Sequence, residues 1–81
     1  MSKLYKISEY ELYLISGLAN GATVGELGQV LKHFDLVPSS ISSIDKALKE
    51  LRIKTLSRTN TELVYKFRDK IIVLNLDDIF A

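Results

Sequence analysis

Residues Thr23 to Leu51, TVGELGQVLKHFDLVPSSISSIDKALKEL, constrain the chain more than any other stretch, because they hold two apolar patterns of helical period separated by a short connection. Thr23 and Glu26 stand at the spacing of a capping box, in which the hydroxyl accepts a first-turn N–H and the carboxylate reaches back. Val24, Leu27, Val30 and Leu31 then share one helical face. Gly28, next to apolar Leu27, gives a partner helix room to cross closely, which sets it apart from a glycine merely tolerated at a cost of about 1 kcal/mol. The second pattern opens at Pro38–Ser40, since proline suits a first helical turn and serine a cap. Ile41, Ile44, Leu48 and Leu51 form its apolar stripe with Ala47 beside them, which predicts a helix running to about Leu51.

At about 100° per residue, the side of this second helix away from its stripe holds Ser39, Ser42, Ser43, Lys46 and Lys49. Ser40 completes the serine-rich start. Hydroxyls and N–H groups near a helix N-terminus suit phosphate oxygens and base edges, and lysines further along add salt-sensitive backbone contacts. Two such helices, with the polar-faced one second, have the layout of a helix-turn-helix. The connection Lys32 to Pro38 is longer than the tightest turns of that kind, so Leu36 and Ile41 are expected to fill core positions with Phe34 tucked inward.

Charge supports this by distribution rather than amount, because the net charge is only +1. From Ser39 to Lys70 eight cations face four carboxylates, net +4, whereas residues 1–38 carry −1 and residues 71–81 carry −2. The middle of the chain is thus expected to present a basic face. A chain of 81 residues makes one domain with one modest core, and its 47% hydrophobic content places it away from disorder. No cysteine is present, which excludes disulfides, thiolate nucleophiles and zinc–thiolate sites and fits a reducing interior. His33 alone builds neither a metal cluster nor a catalytic relay, Asp77 and Asp78 are adjacent on a tail, and no glycine-rich phosphate loop occurs. An enzyme, a metal, a cofactor and a small-molecule effector are therefore not expected. The start MSK and the lack of a long apolar run predict a cytoplasmic protein without a membrane span.

Elsewhere, Ser8 and Glu11 repeat the capping-box spacing and Asn20-Gly21 supplies a helix stop, which predicts a first helix over about Glu9 to Ala19. Residues 1–7 read as a short edge strand or an ordered arm. After Leu51, Arg52-Ile53-Lys54-Thr55-Leu56 alternates in polarity, Arg58 to Thr61 is turn-like, Leu63 to Phe67 is strand-like, and Ile71 to Leu76 is a β-branched run. The expected fold is therefore α+β, a three-helix helix-turn-helix core followed by a C-terminal β-hairpin wing. Of two candidate tips, Arg58 to Thr61 is favoured over Arg68 to Lys70. The tail 77–81 is expected to bury Ile79 and Phe80 within the molecule or against a second subunit.

Residues 8–76, and the phrase PSSISSIDKALKEL in particular, resemble small winged helix-turn-helix domains of microbial and viral transcription regulators. SEYELYLISGLANGATVGELGQVL and RTNTELV resemble, respectively, the first two helices and the start of the last helix of a four-helix LuxR-type domain. Either resemblance implies sequence-specific binding of double-stranded DNA by a homodimer, with the helix over 39–51 in the major groove. The implied contacts are Ser39, Ser40, Ser42, Ser43, Lys46 and Lys49, with Lys54, Arg58 and Asn60 toward the wing. The alternative is a winged-helix protein-interaction module that does not bind DNA, favoured by the near-zero net charge and the acidic, apolar tail.

Overall fold

A computed structural model describes residues 6–81. Among the described residues five α-helices follow one another: α1 (Glu9–Ala19), α2 (Leu27–His33) entered through a 3-10 turn at Val24–Glu26, α3 (Ile41–Thr55), α4 (Asn60–Lys66) and α5 (Leu76–Phe80). Among the described residues there is no strand, so the fold is all-α and the expected hairpin wing is absent. The arm-or-strand expectation for residues 1–7 lies outside the described residues except for Lys6 and Ile7, which are irregular.

The helices begin and end by repeated local chemistry. Ser8 with Glu11 and Thr23 with Glu26 form full capping boxes. Thr59 caps α4 by accepting from the Glu62 N–H, and Glu62 in turn accepts from the Arg58 N–H at 2.7 Å. Three ends also match. Ala22 N–H returns to Gly17 O, Leu36 N–H to Leu31 O, and Ser57 N–H to Arg52 O, each closing the six-residue loop that satisfies a terminal carbonyl. The residue that makes each turn lies in the left-handed region: Gly21 at φ 108°, Asp35 at 56° and Leu56 at 57°. Glycine takes this conformation freely and aspartate tolerates it, but a leucine there costs roughly 1 kcal/mol. Leu56 is 82% exposed, so little packing offsets that cost. Replacing it with glycine is expected to raise stability by about 0.5–1 kcal/mol in urea unfolding.

The core is built from Leu14, Ile15, Leu27, Val30, Leu31, Ile44, Leu48, Leu51, Leu63 and Phe67, all essentially excluded from solvent. Each helix from α1 to α4 contributes one stripe of it, and α5 lies against α2 with Ile79 and Phe80 half-buried on the core, as the sequence leads one to expect. Two glycines set how close the helices come. A Cβ at Gly17 would sit 2.6 Å from Leu27 Cδ2, and one at Gly28 would sit 2.8 Å from the Ser39 carbonyl oxygen. Gly28 is therefore a close-approach residue, pressed by the backbone that leads into α3. Gly28→Ala gains about 1 kcal/mol of helix propensity, yet the clash with backbone is expected to outweigh it and leave the protein about 1–2 kcal/mol less stable. A thermal melt checks this.

The β-like segments resolve differently. Residues 52–55 are the last turn of α3, Arg58 lies in the α3–α4 connection, Thr59 caps α4, and Asn60 and Thr61 open it. Residues 63–66 lie in α4 and Phe67 closes it, because helical spacing buries Leu63 and Phe67 together while Tyr65 faces outward at 63% exposure. Residues 71–75 belong to no helix and, among the described residues, have no neighbouring strand. Instead, Ser16 Oγ accepts from the Ile72 N–H at 3.0 Å, and the Asn20 side chain donates to Ile72 O at 2.8 Å and accepts from the Leu74 N–H at 3.2 Å. Side chains of α1 and its cap thus bond the alternate residues Ile72 and Leu74 as a partner strand would, and they close the bundle with a non-helical strap.

Candidate nucleic-acid interface

The α2–α3 unit is fixed in place by contacts on both sides of its connection. Phe34 lies half-buried with its ring centroid 4.5 Å from that of Tyr13, so it does tuck inward, and Leu36 is half-buried against the core. The Tyr10 hydroxyl donates to Pro38 O at 2.6 Å, and burial pushes this phenol above its ordinary pKa, which keeps it a donor. His33 is exposed and meets Phe34 edge-on, a packing role. Pro38 precedes the helix rather than lying in its first turn, since Ser40 is the cap and Ile41 the first helical residue.

α3 is 15 residues long, about 21 Å from end to end. It turns Ile44, Leu48, Leu51 and Thr55 to the core and leaves Ser42, Lys46 and Lys49 exposed on the opposite side. Ile41 departs from the expected stripe in burial: it is 53% exposed as the first residue of the helix, and α3 runs past Leu51 to Thr55. Asp45 and Glu50 flank the lysines, about 60° and 80° around the helix from Ser42. Ile53 continues the same ridge at 66% exposure. The outer face is therefore a narrow ridge of hydroxyl and cations bordered by carboxylates, without a broad positive field.

The structure divides the expected contact residues into three groups. Ser42, Lys46 and Lys49 come together on the exposed ridge, with Ser39 half-buried just before the helix. Ser40 and Ser43 are occupied locally: Ser40 Oγ accepts from the Ser43 N–H and donates to Ser43 Oγ at 2.8 Å. Lys54, Arg58 and Asn60 lie at the other end of α3. Lys54 Nζ donates to Lys6 O at 2.7 Å, and Asn60 Oδ1 accepts from the Arg52 guanidinium, so both serve packing between elements. Arg58 is exposed, but on the α3–α4 connection rather than at a wing tip.

Several cations of the basic segment are committed to the fold. Lys66 Nζ caps the C-terminal end of α3 by donating to Thr55 O at 2.6 Å and Leu56 O at 3.1 Å, where the helix dipole favours a cation. Arg68 stacks on the Tyr65 ring and donates to the Tyr65 carbonyl. The Arg58 N–H holds the Glu62 carboxyl below its ordinary pKa, slight desolvation opposing it and the charges of Lys66 and Arg58 helping. The acidic neighbours Asp45 and Glu50, missed as part of the outer face, were legible from the same helical spacing that placed the lysines. Among the described residues, no helix is long and apolar enough to cross a membrane. Comparisons with protein-family models, with curated proteins and with solved structures return no match.

Proposed function

We propose that this protein binds double-stranded DNA non-covalently through α3, as a transcriptional regulator acting in the cytoplasm. One observation carries the reading: the second helix of a closely packed helix pair is held by Gly28 and Tyr10 so that Ser42, Lys46 and Lys49 stand clear of the rest of the molecule. A helix presented this way fits the major groove, with its N-terminal residues toward base edges and its lysines toward phosphates. Asp45 has the chemistry to accept from a cytosine amino group. The order of α1 to α4 is also the order that the LuxR-type resemblance implies, with α4 starting inside RTNTELV.

Exposed Ile53, Leu56 and Tyr65, together with Asp45 and Glu50, favour a second reading as a protein-interaction module. Titration of random duplex DNA at low and moderate salt separates the two. Groove binding predicts affinity that falls steeply as salt rises, through release of counterions. A folded protein that fails to bind at low salt supports the second reading.

A further inference from the structure

From Ile71 to Leu74 the strap hydrogen-bonds along one edge only, and Asn75 O turns into α5 by accepting from the Ile79 N–H at 3.2 Å. Ile72 and Leu74 point their backbone groups at Ser16 and Asn20. Among the described residues, no hydrogen bond uses the backbone of Ile71 or Val73. Val73 is 89% exposed, the highest of any large apolar side chain described. Residues 71–76, IIVLNL, contain none of the proline, lysine or glycine that commonly blunts an open edge, and their β-branched composition favours pairing.

We propose that this edge pairs antiparallel with the same edge of a second copy of the chain, Val73 facing Val73 across a two-fold axis. The two valines then exchange N–H···O bonds, and Ile71 of each copy faces Asn75 of the other. Charge selects the occupant. One end of the strap is Arg68-Asp69-Lys70 and the other is Asp77-Asp78. Antiparallel pairing brings the cation-bearing end of each copy to the acidic end of its mate, while parallel pairing sets like ends together. A second copy therefore supplies both the backbone edge and the complementary charges. This pairing rests on the strap alone and stands or falls independently of DNA binding.

Sedimentation equilibrium of the full chain at about 10–500 µM tests it, a range suited to a small interface. The wild type is expected to dimerise across this range. R68E/K70E and D77K/D78K, each still folded by circular dichroism, are each expected to lose at least tenfold in dimer affinity, because like charges then meet. An equimolar mixture of the two variants restores the complementary pairs and is expected to dimerise. If either variant melts without cooperativity, V73K replaces it: one exposed side chain changes, two cations face each other, and affinity falls at least tenfold. A wild type that stays monomeric, variants that dimerise alone as well as the wild type, or a mixture that stays monomeric overturns the proposal.

Discussion

Truncating Phe67 to alanine is expected to cost about 3–5 kcal/mol, the largest effect of any single truncation in this core. Among the described residues Phe67 is the largest side chain fully excluded from solvent, and it closes α4, which packs against α1 and α3. A domain of this size holds roughly 4–12 kcal/mol in total, so the variant loses a large part of its stability. The melting temperature is expected to fall by about 15–30 °C. Tyr65→Ala is the informative companion. In a strand Leu63, Tyr65 and Phe67 would share one face and all three truncations would be severe. In α4 Tyr65 points outward and stacks under Arg68, so its removal is expected to cost about 1 kcal/mol or less. Thermal melts of the two variants followed by circular dichroism make the comparison, and similar losses at both positions would contradict a helical α4.

Neutralising Lys46 and Lys49 together carries the largest expected functional effect. On the DNA-binding reading both ammonium groups meet phosphates, so the double alanine variant is expected to bind duplex DNA about 10–100-fold more weakly at low salt. The slope of log affinity against log salt should shrink by about 1.8. Both side chains are exposed and lie away from the apolar stripe, so stability should change by less than about 0.5 kcal/mol. Glu50→Gln is the complementary change, since it removes a carboxylate bordering the same ridge and is expected to strengthen binding modestly. Equal affinity and slope in the wild type and the double variant would move the contact away from α3.

The first half of the chain is readable from its residues because its signals are local. The caps at Ser8 and Thr23, the stop at Asn20-Gly21 and the close approach at Gly28 each act within one turn of helix or one helix crossing. The second half misleads for identifiable reasons. Thr59 and Glu62 repeat the S/T-x-x-E spacing that starts α1 and the turn before α2, but the β-branched and aromatic residues after them outweigh it on propensity. Helical spacing decides instead, because only a helix buries Leu63 and Phe67 while turning Tyr65 outward. Residues 71–75 stay out of any helix, and Ile72 and Leu74 are hydrogen-bonded at the alternate spacing of a strand. What the sequence conceals is that Ser16 and Asn20, more than fifty positions earlier, take the place of the partner strand. Of the candidate contacts, those read from the outer face of α3 lie together, whereas Lys54 and Asn60, assigned by the wing expectation, are tied into the fold.

Amide-resolved NMR of the protein titrated with a short duplex at low salt tests whether α3 enters the groove. Binding through α3 predicts shift changes concentrated between Ser39 and Glu50, with the strap at 71–75 and α5 undisturbed. Saturable changes that leave α3 untouched, or a spectrum unaltered by excess duplex, would contradict it.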